Sequence, residues 1–170
     1  MIRYLTKEDI PQYQRLITKV WQETYPGIVN QEFLDNLSKT ESERIELNNM
    51  IYDDNVKDTL VLEIDNELVG FIRYGGVDYN NYLNTGEIFA LYLMSKYKGQ
   101  GYGKKLVQSA VKELINLGYS NMIIGCISKN PSNEFYKYIG GIKVGERPFN
   151  KTGDDLYENI YYFECIKGLI

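Results

Sequence analysis

The sequence predicts a mixed α/β fold with a central sheet of about seven strands and helices on both faces. Three observations predict it. Short apolar runs alternate with segments of helical periodicity in the order β-helices-ββ-β-α-β-α-ββ. An apolar run at 87–94 leads through a glycine-rich turn into an amphipathic helix, the pattern of a buried central strand feeding a crossover. The chain has 170 residues, the length of one ordinary domain, and no repeat, linker or low-complexity stretch divides it. One domain over residues 1–170 is therefore expected.

Residues 1–5 read as a short first strand. Thr6 and Asp9 resemble a capping box, with Asp in place of Glu or Gln. Ile10, Tyr13, Leu16, Ile17, Val20 and Trp21 then recur at helical spacing, until Pro26-Gly27 breaks the pattern. Further helices are predicted over 31–37 and 41–50. Residues 59–64 and 68–74 read as strands joined by a turn at Asp65-Asn66-Glu67. The polar, Asn- and Tyr-rich stretch 78–85 reads as a loop. After the glycines, Leu106, Val107, Ala110, Val111 and Leu114 form one helical stripe, closed by Gly118. Residues 122–127 are a strand, and Pro131 opens a short helix ending near Gly140-Gly141. Residues 142–147 and 156–166 are the last strands, joined by a polar loop at 150–155.

Composition excludes several chemistries. There is no histidine, which removes Ser-His-Asp and Cys-His catalysis and His-ligated metals. A general acid or base must be Asp, Glu, Tyr, Lys, Cys or a chain terminus. The two cysteines, Cys126 and Cys165, lie in apolar strand-like runs and are expected to be buried and inert. They are too few for a Cys-built zinc site, so no metal is expected. A net charge of −4 argues against nucleic acid and suits a cationic or neutral acceptor. No apolar run is long enough to span a bilayer, and the N-terminus has no signal-peptide character, so the expected location is the cytoplasm, with no membrane partner.

The strongest local signal is the turn Lys98-Gly99-Gln100-Gly101-Tyr102-Gly103-Lys104. A helix N-terminus offers free N–H groups and a positive dipole end, and glycine lets a phosphate approach the backbone. The phosphate-loop pattern requires Lys-Ser/Thr after its last glycine, where this chain has Lys104-Lys105. The dinucleotide pattern requires Gly or Ala where Lys104 stands. A tight strand-helix turn without a ligand is the plain alternative.

Here the sequence resembles the GNAT acetyltransferase superfamily. The signature Gln/Arg-x-x-Gly-x-Gly/Ala reads Lys98-Gly99-Gln100-Gly101-Tyr102-Gly103, with Lys98 in place of Gln or Arg. A second signature, an Asn followed by a helix with Tyr and then Gly, reads Asn130 through Tyr136 to Gly140-Gly141. The run from Trp21 to Ile28 also looks like the first helix and loop of many small bacterial members.

The resemblance implies an N-acetyltransferase that uses acetyl-CoA as cosubstrate and transfers directly to a primary amine. The acceptor would be a small polyamine or amino compound, a peptide N-terminus or a lysine. The resemblance further implies splayed parallel strands at the cofactor site. Leu91, Tyr92 and Leu93 would pair with the pantetheine arm. Gly99, Gln100, Gly101, Tyr102, Gly103 and Lys104 would hold the pyrophosphate, and Asn130 would touch the pantetheine. Tyr136 is the candidate acid for the departing thiolate, with Tyr138 on another helix face. Glu87, eleven positions before Lys98, is the candidate base, acting through water at the start of an apolar strand. Burial among apolar neighbours is expected to tune it. Glu23, Asp35, Trp21, Tyr25, Asp154 and Glu158 are further residues that could face an acceptor. Members often form homodimers. A non-catalytic acyl-CoA-sensing module of the same fold is the alternative, and a phosphate-using transferase built on the same turn is a further rival.

Overall fold

In the computed structural model, which describes all 170 residues, seven strands and five α-helices follow the expected order. They are β1 (Ile2–Tyr4), α1 (Ile10–Thr24), α2 (Gln31–Lys39), α3 (Glu41–Ile51), β2 (Thr59–Ile64), β3 (Glu67–Tyr79), β4 (Tyr82–Leu93), α4 (Tyr102–Asn116), β5 (Met122–Ile127), α5 (Asn133–Tyr138), β6 (Ile142–Phe149) and β7 (Leu156–Phe163). The strands form a single sheet in the order β1-β2-β3-β4-β5-β7-β6. Every pair is antiparallel except β4 with β5. No helix is long and apolar enough to cross a membrane.

Local chemistry sets the element ends. The Asp9 carboxylate accepts the Thr6 N–H at 2.9 Å and closes the capping box before α1. Arg3 bridges that carboxylate to Glu63, so the start of α1 is tied to β1 and β2. Asp65 and Asn66 both take positive φ, the backbone that a two-residue hairpin turn requires between β2 and β3. At the end of α4, Gly118 (φ +95) donates its N–H to Ile115, and Tyr119 donates to Leu114. This pair of bonds is a Schellman cap, which needs the left-handed residue that glycine supplies.

The stretch 78–85, expected as a loop, is a hairpin instead: β3 and β4 continue to Tyr79 and Tyr82 around a turn at Asn80-Asn81. Its polar side chains hid the strands because the hairpin tip projects beyond the core, where no alternation of apolar residues is needed. Asn80 and Asn84 supply positive φ there, and Asp78 accepts the Asn84 N–H at 2.8 Å. Glu87 therefore sits in the middle of β4, not at its start.

The two sheet faces carry different helices. Adjacent β3 residues point to opposite faces. A Cβ at Gly70 would meet Leu106 of α4, whereas Phe71 packs edge-on against Tyr13 of α1 at 4.9 Å. The α4 stripe Leu106, Val107, Ala110, Val111 and Leu114 is fully buried. Each Leu or Val there is worth roughly 1.5–3 kcal/mol of burial. These helices clamp the centre of the sheet, and the site forms where β4 and β5 part.

Candidate active site

Parallel pairing between β4 and β5 covers only Gly86–Ile88 against Met122–Ile124. Both strands run on, β4 to Leu93 and β5 to Ile127, with no ladder between them. The parting has a local cause. Opposite Arg73 and Tyr74 of β3 stand Ala90 and Ile88, so Phe89 is an extra residue on β4. Such a bulge bends its strand and raises its twist. It falls one residue beyond the last β4–β5 pair, and it turns the end of β4 away from β5. From Phe89 onward, β4 pairs with β3 on one side and presents an unpaired backbone edge on the other.

A cavity of about 690 Å³ fills the gap. Leu91, Tyr92 and Leu93 line one wall, and Gly125, Cys126 and Ile127 line the other. Lys98, Gly99, Gly101, Gly103 and Lys104 lie at one end, and Asn130 and Tyr136 border the same space. The glycine turn is built to be approached. Gly99 and Gly101 take φ of +75° and +82°, and a Cβ at either would meet nothing within 4 Å. Glycine is favoured there by backbone angle, not by packing within the chain, and the space above the turn is open. Gly101 is the residue before α4 and no side chain caps that helix, so its first N–H groups are free for an anion. Gln100 and Tyr102 belong to the turn but not to the cavity wall. Gln100 donates its side-chain amide to the Lys96 carbonyl at 2.9 Å, and Tyr102 packs edge-on near Tyr97.

Tyr136 is buried, and its hydroxyl has no hydrogen-bond partner in the chain, whereas Tyr138 is 79% exposed. Burial drives the Tyr136 phenol well above its ordinary pKa, and its ionisable neighbours Cys126, Tyr25 and Glu158 add to this. It therefore keeps its proton into alkaline solution. What places Tyr136 is Asn133, which sequence reasoning missed beside the similar Asn130. Asn133 Nδ2 donates to the Ile127 and Asn130 carbonyls at 2.9 and 2.6 Å. Its Oδ1 accepts from Asn159 and from the Tyr161 hydroxyl at 2.9 and 2.8 Å. One buried amide, on the first residue of α5, thus ties the end of β5 to the middle of β7. Asn130 makes a tighter local loop, accepting the Ser132 N–H at 2.8 Å.

The end of the cavity near α1 is aromatic. Trp21 contacts Tyr25, Phe33 and Tyr92 with ring centroids 4.8, 5.5 and 6.0 Å apart. The Tyr25 and Tyr92 hydroxyls lie 2.9 Å apart. Of the further residues considered from sequence, Trp21, Tyr25 and Glu158 line the cavity. The others are structural. Asp154 binds the Asn30 N–H and side chain before α2, Glu23 accepts the Ser95 N–H, and Asp35 accepts from Gln31.

Glu87 is fully buried, but its surroundings differ from the apolar pocket expected. Arg147 Nη2 donates to its Oε1 at 2.5 Å, and Arg147 Nε donates to Glu158 Oε2 at 2.7 Å. Burial works against the guanidinium charge, and the two carboxylates more than offset it, holding Arg147 above its usual range. Glu158 lines the cavity, and neither Glu87 nor Arg147 does. Cys126 is buried as expected, and burial pushes its thiol up to about 12. Cys165 is exposed, because β7 ends at Phe163 and leaves it outside the sheet.

Comparison with known proteins agrees with this architecture. The family model described as Acetyltransferase (GNAT) family matches residues 15–140. An uncharacterized N-acetyltransferase of Bacillus subtilis, YuaI, is 27% identical over 158 residues, 92% of this chain and 88% of the relative. A spermidine N(1)-acetyltransferase of Thermoplasma acidophilum is 27% identical over 147 residues, 84% of this chain and 88% of the relative. Among solved structures, the PaiA N-acetyltransferase of Thermoplasma acidophilum in complex with coenzyme A has a TM-score of 0.74 at 23% identity. That match covers 96% of this chain and 98% of the other.

Proposed function

The chain belongs to the acetyltransferase (GNAT) family, and from that premise we propose that it moves an acetyl group from acetyl-CoA to a primary amine by direct transfer. One observation carries the reading. A single cavity runs from the open glycine turn, along the unpaired edge of β4, to an unbonded buried tyrosine and an acidic, aromatic end.

The residues present suit this cosubstrate. Gly99, Gly101, Gly103 and the free N–H groups opening α4 would hold the pyrophosphate, with Lys98 and Lys104 adding charge. The backbone of Leu91, Tyr92 and Leu93 would pair with the pantetheine amides, and Asn130 would border the arm. Acetyl-CoA supplies a thioester carbonyl there. Tyr136 meets the sulfur as it becomes a thiolate. A free thiol has a pKa near ~8.5, so the more basic phenolate is a poor final resting place for charge. Tyr136 therefore donates a hydrogen bond first. It passes its proton on as the amine nitrogen, gaining an acyl group, returns one. An alkyl ammonium has a pKa near ~10.4, so a carboxylate must first take a proton from it. Glu87 is the carboxylate singled out from sequence, and Arg147 links it to Glu158 at the cavity wall.

The acceptor class is an alkyl amine. Aromatic rings attract ammonium ions, and Trp21, Tyr25, Tyr92 and Phe149 gather at that end beside Glu158. The likeness to a spermidine acetyltransferase supports a polyamine as the first compound to try. The test is CoA release from acetyl-CoA with spermidine, a peptide with a free N-terminus and a lysine-containing peptide. Amine-dependent release is expected. Tight acetyl-CoA binding without release for any amine would leave the sensing module as the better description.

A further inference from the structure

We propose that Glu158, and not Glu87, is the carboxylate that binds the acceptor ammonium and takes its proton, and that Glu87 is a positioning residue acting through Arg147. The inference rests on the acetyl-transfer reading above. Four observations support it.

The first is access. Glu158 borders the cavity, and its side chain is 14% exposed. The Glu87 side chain is 2% exposed and does not reach the wall.

The second is bonding. Arg147 engages Oε2 of Glu158 and leaves Oε1 without a partner in the chain. A carboxylate oxygen free of protein partners can accept from an ammonium.

The third is the floor of the site. A Cβ at Gly125 would lie 2.8 Å from Glu158 Oε2 and 3.0 Å from Arg147 Nη2. The missing side chain is the space in which these two groups meet. It lets Arg147, on β6, reach Glu87, on β4.

The fourth is charge. Two carboxylates share one guanidinium, so the group carries one surplus negative charge. An aromatic, largely apolar surrounding is costly for an unbalanced charge, and a monocation entering beside Glu158 balances it. The groups facing Glu158 are Arg147 from β6, Cys126 from β5, Tyr25 after α1 and Tyr136 from α5. Glu87 stands beyond Arg147. Arg147 is the one cation paired with Glu158; Arg73 and Lys151 also line the cavity, Lys151 with its Nζ 5.7 Å from the Phe149 ring, and neither pairs with Glu158. The bond of Arg147 to Glu87 fixes the guanidinium, and its bond to Glu158 leaves that carboxylate aimed at the amine.

The proton balance is closed. Glu158 takes one proton from R–NH3⁺ and releases it to water. The freed nitrogen lone pair forms the C–N bond as the C–S bond breaks. The nitrogen's surplus proton reaches the sulfur through Tyr136.

The experiment compares wild type, Glu158→Gln, Glu158→Asp and Glu87→Gln in two measurements. Calorimetry titrates 1,4-diaminobutane into protein saturated with CoA, where no transfer occurs. Initial rates with acetyl-CoA and the same diamine are followed from about pH 6 to about pH 10, a span set by the carboxylate and amine pKa values. In Glu158→Gln, diamine affinity should fall about 10-fold or more, with CoA affinity unchanged. Its kcat/KM at neutral pH should fall on the order of 10²-fold and climb back towards wild type as free amine appears. Glu158→Asp keeps the charge and should recover part of both losses, and it serves if the Gln variant folds poorly. Glu87→Gln should lose about 10-fold in rate and keep the wild-type pH profile, since Gln still accepts from Arg147. Unchanged diamine affinity in Glu158→Gln overturns the assignment whatever the turnover. So does a pH-rescued loss in Glu87→Gln alone, which would leave the acetyl-transfer reading intact. Wild type that binds CoA but acetylates no amine would instead overturn that reading.

Discussion

Arg147 Nη2 lies 2.5 Å from Glu87 Oε1, although β7 and β5 stand between the strands that carry them. The contact exists because Gly125, on the intervening β5, has no side chain to block it.

Gly125→Ala should therefore injure function more than folding. The new methyl meets the far ends of two flexible side chains, not backbone, so the chain can give way. The cost in stability should stay near ~1 kcal/mol, read as a small shift in the urea midpoint. Turnover should fall by about 10-fold or more, because Arg147 loses its path to Glu87 and Glu158 loses its aim. Wild-type turnover in a folded Gly125→Ala protein would show that the bridge has no part in the reaction.

Tyr136→Phe removes only the hydroxyl. Turnover should fall on the order of 10²-fold while acetyl-CoA affinity, measured by calorimetry, changes little. The pKa direction adds a second expectation. The folded value is raised well above the ordinary 10, so the donor form persists through that pH. The wild-type rate should therefore show no alkaline fall up to about pH 10. A fall beginning near pH 8 would mean that some other acid, with an unraised pKa, is in control.

The glycine turn can be separated from ordinary backbone strain. Gly101 and Gly118 both take positive φ, and both would place a Cβ in open space. Alanine at either position should cost roughly 1–2 kcal/mol of stability from the left-handed backbone. Only Gly101→Ala also fills the approach to the free N–H groups of α4. Its affinity for acetyl-CoA should drop about 10-fold or more, and that of Gly118→Ala should not. Equal affinities would remove the turn from the phosphate site.

Much of this was legible in the chain. The α4 stripe, the Gly118 cap and the order of strands are local signals, each set by neighbours in sequence. The glycine turn was legible for the same reason, whereas Tyr136, one of 16 tyrosines, was singled out only through the family resemblance. The strands at the β3–β4 hairpin were missed because their tip lies outside the hydrophobic core, where Tyr79 and Tyr82 are only half-buried. The ion triad could not be read, because Glu87, Arg147 and Glu158 meet only through a sheet order that interleaves β7 between β5 and β6. Gly125 gave no signal either. A glycine inside a strand marks a close approach, but the sequence does not say of what. Asn133 was passed over for Asn130, three residues earlier, because both open the same short helix. Both are buried, and only the five partner atoms of Asn133 distinguish them.

The remaining question is whether the acetyl group ever rests on the protein. Cys126 is the one thiol with a cavity position that could hold it. The thiolate is the reactive form, and burial together with the charge of Glu158 pushes this thiol up to about 12. Near neutral pH only about one molecule in 10⁴–10⁵ would carry it. The carboxylate placed to take a proton from the amine thus also keeps the thiol silent, which favours direct transfer. Initial rates measured against both substrates should give intersecting double-reciprocal lines, as a ternary complex requires. Protein incubated with acetyl-CoA alone should show no acetyl group on Cys126 by mass spectrometry. Iodoacetamide at about pH 8 should label the exposed Cys165 and spare Cys126. Parallel lines together with an acetylated Cys126 would establish a covalent route, and Tyr136 would then have to serve a different leaving step.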